Sequence, residues 1–403
     1  MNSSGVRIGV YFDRYEPAWE VKDPGQIVLG LNDLGVEAEL ITVEKPSLRG
    51  YQQIPLRFVQ AGEASRPEYW RSTPYDVVII YTWLGRPYLP IIAALKKAGK
   101  KVIVKGDIDG RLCYPAFPRS VYRTRKVGKL LRHMPGPLRA LAEKTIARLR
   151  TLPRRIIPHL EAADALVLES PQAKANLAYI LVYWGRPDLT GKIHFIPNPV
   201  ADDIARAPIP ARKKRKIVAV GRWHDVAKNT GTLARVLCSF ARAMPDYEAA
   251  VIGPGEETVR RYMAEACRGD PAPSISVLGR VPHGELVRHL GEARILFMPS
   301  NWESFGIAAA EAVSMGCSIV GTPIESLMYL TGGGFSGTLA PDFSEKALLA
   351  ALLTDVQRWE AGEYDPGEIA SFWRSRLNRR TVARSYLELA ARLLEEGGRQ
   401  RHA

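Results

Sequence analysis

Two carboxylates eight residues apart, Glu303 and Glu311, stand in the segment Pro299-Ser300-Asn301-Trp302-Glu303-Ser304-Phe305-Gly306-Ile307-Ala308-Ala309-Ala310-Glu311 and flank the start of an apolar stretch. From Gly306 to Met315 the residues are apolar on nearly every side and Gly316 is placed to stop a helix, which predicts a buried helix. A carboxylate desolvated there costs several kcal/mol unless it finds a partner. Because an ionised carboxylate accepts two parallel O–H bonds, a vicinal diol would satisfy Glu311. Glu303 follows the strand-like run Arg294-Ile295-Leu296-Phe297-Met298 and so falls in a strand-to-helix loop, where open α/β sheets bind their ligands. The backbone N–H groups of Phe305, Gly306 and Ile307 would face that loop as helix-terminal donors and favour an acceptor-rich ligand. The plain alternative is one glutamate capping the helix and the other in a salt bridge.

A second group of chemistry-bearing residues lies upstream. Gly221-Arg222-Trp223-His224-Asp225-Val226-Ala227-Lys228-Asn229 sits between a strand at 217–220 and a helix, so Arg222 and Lys228 project at the carboxyl end of a sheet. Two cations beside free amides suit a diphosphate, although a surface arginine and lysine in a loop would read the same way. Gly253-Pro254-Gly255 and Gly279-Arg280-Val281 follow two further strands. The first is half of a dinucleotide fingerprint that is never completed, so it reads as a tight turn; the second is a turn or a place of close backbone approach to a flat base.

These residues need a scaffold, and the alternation of the chain supplies one. Strands are predicted at 6–12, 36–43, 75–81, 101–104, 164–168 and 192–196, with helices at 24–34 and 89–98. Residues 199–216 carry Pro199, Pro208, Pro210 and the run Arg212-Lys213-Lys214-Arg215-Lys216, a predicted linker with a solvated charge run. The pattern then restarts, with strands at 217–220, 249–252, 276–278, 294–298 and 318–320 and helices at about 230–243, 256–267, 284–291 and 306–315. The 403 residues therefore read as two doubly wound α/β halves with parallel sheets, and the cleft expected between their strand ends is the default ligand site.

Taken in order, G-R-x5-K-N, V-I-G-x-G, L-G-x-V and P-S-x-x-E-S-F-G-x4-E-A-x-x-x-G resemble the nucleotide-sugar-binding domain of GT-B glycosyltransferases, specifically glycosyltransferase family 4, also described as glycosyl transferases group 1. The resemblance covers roughly 160–340 and reaches Ile196-Pro197-Asn198-Pro199-Val200, where the family usually has I-P-N-G-V. It implies a GT-B fold with an acceptor-binding domain at 1–200, a donor-binding domain at 201–380, and a helix at 381–403 packing back on the first. It implies that Glu303 touches donor-sugar hydroxyls, that Glu311 holds the ribose diol, and that Arg222 and Lys228 neutralise the departing diphosphate. Gly221, Gly253, Arg280, Val281, Ser304, Phe305, Gly306 and Ile307 fall on its donor-binding positions. A retaining hexosyl transfer from a UDP-, GDP- or other NDP-sugar follows from the same resemblance, with the nucleotide sugar as co-substrate, no other cofactor and no metal.

The first half departs from the family. Tyr11-Phe12-Asp13-Arg14-Tyr15-Glu16-Pro17 stands where many members carry a glycine-rich loop, and Lys105-Gly106-Asp107-Ile108-Asp109-Gly110 stands where many have His-Asp. Asp107 and Asp109 spell D-x-D, the metal signature of a different glycosyltransferase fold; here they are candidates on the acceptor side, or turn formers. Charge is concentrated: residues 111–155 hold thirteen Lys or Arg against the single acid Glu143, in a chain whose net charge is +14. Their interleaving with Leu112, Tyr114, Phe117, Tyr122 and Leu130 suits an interfacial helix on anionic lipid, against the alternative of a solvated loop. No nucleic-acid module accompanies the charge, so a lipid-linked, polysaccharide or other cell-envelope acceptor is expected and nucleic acid is not. Cys113, Cys238, Cys267 and Cys317 form no C-x-x-C pair and have no His at ligand spacing, and neither a leader-like segment nor about 18 consecutive apolar residues occurs. These features predict a reducing, cytoplasmic setting at the inner face of the cell membrane, with no structural zinc. Two rival readings use the same scaffold: a GT-B phosphorylase or epimerase, and a non-catalytic membrane- or carbohydrate-binding protein on a degenerate GT-B fold, which the missing His favours.

Overall fold

The computed structural model describes residues 5–13, 15, 19–43, 54–82, 88–110, 134–138, 141, 152–267 and 274–402. Most of the basic region 111–155 therefore lies outside the described residues, as does Cys113. The chain separates into two compact units, residues 1–197 with 382–403, and residues 198–381.

The first unit opens with β1 (Arg7–Tyr11), α1 (Asp23–Asn32), β2 (Glu37–Thr42), β3 (Leu56–Phe58), α2 (Pro67–Arg71), β4 (Val77–Thr82) and α3 (Leu89–Lys97). β5 (Lys101–Gly106), α4 (Leu152–Ala162), β6 (Ala165–Leu168), α5 (Pro171–Tyr183) and β7 (Ile193–Phe195) follow. The strands form one parallel sheet in the order β3-β2-β1-β4-β5-β6-β7. β4 shows why its sequence is one apolar run. Val78 and Ile80 pack in one core with Trp70, Ile92 and Leu95, while Val77, Ile79 and Tyr81 pack in the other with Ile27 and Val28. Alternate side chains leave opposite faces of a strand, and a parallel sheet covered on both faces must be apolar at every position.

The second unit runs through α6 (Asp202–Arg206), β8 (Lys214–Val220), α7 (Thr230–Ala243), β9 (Glu248–Ile252), α8 (Glu256–Cys267), β10 (Ile275–Gly279) and α9 (His283–Glu292). It continues with β11 (Ala293–Met298), α10 (Ile307–Ser314), β12 (Ser318–Gly321), α11 (Glu325–Leu330), β13 (Gly337–Leu339), α12 (Glu345–Glu360) and α13 (Pro366–Leu377). Its parallel sheet has the order β10-β9-β8-β11-β12-β13. The last helix, α14 (Arg379–His402), sends Val382, Ala383, Tyr386, Leu389, Ala390 and Leu393 into the same core as Ile8, Val10 and Ile27 of the first unit. Among the described residues no helix is long and apolar enough to cross a membrane.

Two local expectations are corrected. Residues 212–216 are a solvated run only in part: Arg212, Lys214 and Arg215 are exposed, but Lys213 and Lys216 are buried and β8 already begins at Lys214. Lys213 Nζ donates to the carbonyls of Leu290 and Gly291, each at 3.0 Å, and Lys216 Nζ donates to Glu292 Oε2 at 2.8 Å. Partners more than 70 residues away thus satisfy cations that local composition reads as solvent-facing. The scattered cysteines, from which a reducing setting is expected, include a bonded pair: Cys238 on α7 and Cys267 at the end of α8 form a disulfide, while Cys317 is a buried free thiol.

Candidate functional site

Three loops leave the carboxyl ends of β8, β9 and β10 and are tied to one another through their backbones. Gly221 N–H donates to Ile252 O at 3.0 Å, Trp223 N–H to Pro254 O at 2.8 Å, and Gly253 N–H to Gly279 O at 2.6 Å. Gly253 has φ 119°, and a Cβ there would sit 2.0 Å from Gly221 O. The glycine is required by this close approach, which brings the Gly221 loop against the neighbouring turn. Replacing Gly253 by alanine is expected to cost about 2–4 kcal/mol, because strain at positive φ adds to the clash. Chemical denaturation checks this, and an unchanged unfolding midpoint would contradict it.

Lys228 and Glu303 meet across this framework, 2.6 Å apart from Nζ to Oε1, with both side chains mostly buried. Ser300 Oγ donates to the same carboxylate oxygen at 2.7 Å. The two loops that carry them are stitched together: Asn229 Nδ2 donates to Pro299 O at 3.2 Å, Asn301 N–H to Ala227 O at 2.7 Å, and Asn301 Nδ2 to Val226 O at 2.9 Å. Asn229 follows Lys228 in the left-handed conformation, φ 53°, which asparagine tolerates better than most residues. An ammonium and a carboxylate are therefore fixed side by side before any ligand arrives. Arg222 behaves differently. Its side chain is 70% exposed and approaches Asp225 at 3.6 Å, so the structure does not bring it into the Lys228–Glu303 pair.

The loop after β11 ends at Gly306, which takes φ 79° and turns the chain into α10. Phe305 is fully buried in the core and offers a ligand only its backbone, whereas Ser304 and Ile307 are half-buried. Glu311 lies one turn into α10 and is 8% exposed, as the apolar composition of the helix predicts. His283, the first residue of α9, has its Nε2 2.7 Å from Asp203 Oδ2 of α6. The Asp203 carboxylate holds the imidazole above its ordinary value, burial opposes this, and Glu311 adds to the rise. Arg280 is exposed at the end of β10, and Val281 is half-buried against the core.

In the first unit, the carboxyl ends of β5 and β6 hold a buried charge cluster. Lys105 Nζ pairs with Glu169 and lies 3.2 Å from Asp23 Oδ2. Burial works against the Lys105 charge, but Glu169 and Asp23 outweigh it and keep the ammonium protonated; burial pushes the Glu169 carboxyl up, with the Lys105 ammonium acting against the rise. Asp107 is half-buried beside this cluster, with its N–H on Thr82 O at 3.1 Å, and Asp109 is buried, with its carbonyl accepting from Asn176 Nδ2 at 3.4 Å.

Sequence reasoning singled out Lys228, Glu303, Gly221 and Gly253, and the structure joins them in two direct contacts. It missed the roles of Ser300, Asn229, Asn301, Asp203 and His283. The first three were inside the quoted segments, but a hydroxyl or amide gives no signal of its own until its acceptor is placed.

Comparison with known proteins bears on this geometry. The family model described as Glycosyl transferases group 1 matches residues 214–357, which contain the three strand-end loops, Lys228, Glu303 and Glu311. The phosphatidyl-myo-inositol mannosyltransferase of Mycolicibacterium smegmatis is 28% identical over 163 residues, 39% of this chain and 41% of that protein. The D-inositol 3-phosphate glycosyltransferase of Corynebacterium urealyticum is 35% identical over 217 residues, half of each chain. The chain thus spans about two fifths to a half of the length of the curated relatives it matches. In overall structure it is similar to Anabaena HepE in complex with UDP and glucose, with a TM-score of 0.65 and 13% identity over 96% of this chain and 99% of that one. Residues 214–357 carry the pattern of glycosyl transferases group 1, in a chain that has the GT-B fold of two doubly wound parallel sheets.

Proposed function

We propose that this protein is a retaining glycosyltransferase that moves a sugar from a nucleotide-sugar donor to a lipid-linked, polysaccharide or other cell-envelope acceptor. The observation that carries the reading is the Lys228–Glu303 contact, fixed across two loops of the segment that matches the family model and set at the start of the helix bearing Glu311. In the free protein Glu303 neutralises Lys228. A donor diphosphate would take over that ammonium and release the carboxylate to accept hydrogen bonds from sugar hydroxyls, while Glu311 accepts both ribose hydroxyls. As the bond from the anomeric carbon to the diphosphate oxygen breaks, negative charge grows on the leaving group. Lys228, joined by Arg222 once that exposed side chain swings in, stabilises it most at that point. The acceptor hydroxyl attacks from the face the nucleotide leaves and passes its proton to the departing diphosphate oxygen as its own bond to the anomeric carbon forms, so the anomeric configuration is retained. Side-chain cations take the role a divalent ion plays in other transferases.

The test is incubation with a panel of UDP- and GDP-sugars in the presence of EDTA, with and without a lipid extract, reading nucleotide release and the anomeric configuration of the product by NMR. Slow donor hydrolysis that the folded Glu303→Gln variant lacks supports the reading. Absence of hydrolysis and transfer with every donor rules it out and leaves a non-catalytic binding protein.

The relatives' names concern phosphatidyl-myo-inositol and inositol phosphate, which supports an acceptor with polyol hydroxyls beside a phosphate. The thirteen cations of 111–155 support attachment to an anionic membrane surface. Sedimentation with vesicles containing anionic lipid checks this: neutralising those cations is expected to abolish binding, and binding that survives at moderate salt would remove the membrane from the proposal.

A further inference from the structure

The second unit holds a solvent-open cavity of about 550 Å³ lined by α6, α13 and the start of α14. Its wall includes Asp202, Arg206, Ser371, Arg374, Arg379 and Arg380. Four guanidinium groups thus share one carboxylate. Asp202 Oδ2 lies 3.0 Å from Arg206 Nε and 3.9 Å from Arg379 Nη2, which commits it to two of them. Arg374 is half-buried and has no carboxylate partner among the described residues. Its Nε donates to Ser314 O and its Nη2 to Ala207 O, both at 2.7 Å. Burial lowers its pKa, with no neighbouring charge acting against the shift. Arg380 is exposed and also without a carboxylate partner among the described residues.

Like charges collected around one concavity raise its potential, and a bound anion relieves that repulsion. Planar guanidinium forks match the oxygens of a phosphate. The volume lies in the range of small-molecule sites and exceeds what one phosphate fills. The remaining wall supplies a free-standing hydroxyl, Ser371, and the carboxylate of Asp202, groups that pair with hydroxyls. We infer that this cavity binds a small phosphomonoester of a sugar or polyol, its phosphate on the guanidinium groups and its hydroxyls on Asp202 and Ser371.

The cavity is separate from the Lys228–Glu303 site. Arg374 holds the carbonyl of Ser314, the last residue of α10, whereas the donor loops meet the first turn of that helix, about 12 Å away at 1.5 Å per residue. Binding there needs no transferase activity, so it is tested independently of the proposed reaction.

Isothermal titration of the full chain with glucose 6-phosphate and with inorganic phosphate, at low and at physiological salt, reads the site. Two variants separate it from the donor loops: Arg206→Gln with Arg380→Gln, both exposed positions, and Lys228→Ala with Arg222→Ala. Glucose 6-phosphate is expected to bind with one-to-one stoichiometry to the wild type and to the Lys228/Arg222 variant, and at least tenfold more weakly to the Arg206/Arg380 variant. Loss of binding in the Lys228/Arg222 variant, or equal affinity in the Arg206/Arg380 variant, overturns the inference. Inorganic phosphate is expected to bind more weakly than glucose 6-phosphate, and equal or tighter binding overturns recognition of the polyol. Unfolding midpoints within a few degrees of the wild type certify that the variants are folded.

Discussion

Replacing Lys228 by alanine is expected to lower kcat for sugar transfer about 100- to 1000-fold, the loss typical of removing one preorganised group that meets charge as it develops in the transition state. The magnitude follows from how Lys228 is held. Its side chain is 14% exposed, its ammonium is 2.6 Å from Glu303, and the loops on either side are pinned by Asn229 and Asn301. Little reorganisation is needed to present it to a diphosphate. Arg222 has none of this support, so Arg222→Ala should lose about tenfold less. The same contact means that the lysine variant has a structural cost: Glu303 would keep only Ser300 Oγ beside it among the contacts described, and stranding a mostly buried carboxylate destabilises by about 1–3 kcal/mol. A double-mutant cycle in stability with Glu303→Gln isolates the structural cost, because the stability loss of Lys228→Ala should shrink in the Glu303→Gln background, whereas the loss in kcat is read against the wild type. Urea denaturation of the four proteins reads the first quantity, and steady-state kinetics of the wild type and Lys228→Ala reads the second. A Lys228→Ala variant that keeps wild-type kcat would remove the lysine from the leaving-group role.

The parts of this fold that could be read in the sequence are those where one physical requirement acts on consecutive residues. Strands buried on both faces must be apolar throughout, so 75–81 announced β4 and 294–298 announced β11, and Gly316 marked the end of the α10 region at positive φ. Three-residue strands such as β3 and β13 carry too few positions to show a period. Contacts across sequence distance were also hidden. Lys216 reaches Glu292 across 76 residues, and Lys228 reaches Glu303 across 75, yet one pair lies in a run that reads as solvent and the other in motifs that read as a site. The disulfide is of the same kind, since α7 and α8 must first pack side by side before Cys238 and Cys267 become neighbours. Residue types at the site were therefore legible, and the pairings between them were not. Those pairings join two independent guesses, a sugar carboxylate and a phosphate cation, in one ion pair, which a donor would have to displace under the proposed function.

Glu311→Gln should show the opposite signature, weakening nucleoside diphosphate binding about 10- to 100-fold while kcat at saturating donor changes little. Glu311 is 8% exposed on an alanine-rich helix, and glutamine has the same shape without the charge, so the fold does not lose a packed group. What is lost is the ability to accept two charge-assisted hydrogen bonds from the ribose diol, each worth roughly 1.5–3 kcal/mol at most in a partly buried setting. The ribose is bound equally in the ground and transition states, so the change belongs in affinity rather than in turnover. A ligand variant makes the assignment specific. The 2′-deoxy nucleotide lacks one of the two hydroxyls, so it should bind the wild type more weakly, and Glu311→Gln should add less to that loss than it adds for the ribonucleotide. Calorimetric titration of both nucleotides into both proteins gives the four affinities. If glutamine weakens the deoxynucleotide and the ribonucleotide by the same factor, Glu311 does not hold the diol. The His283–Asp203 pair at the start of α9 would then be the group to pursue, because the Glu311 carboxylate acts electrostatically on that imidazole and helps to raise its pKa.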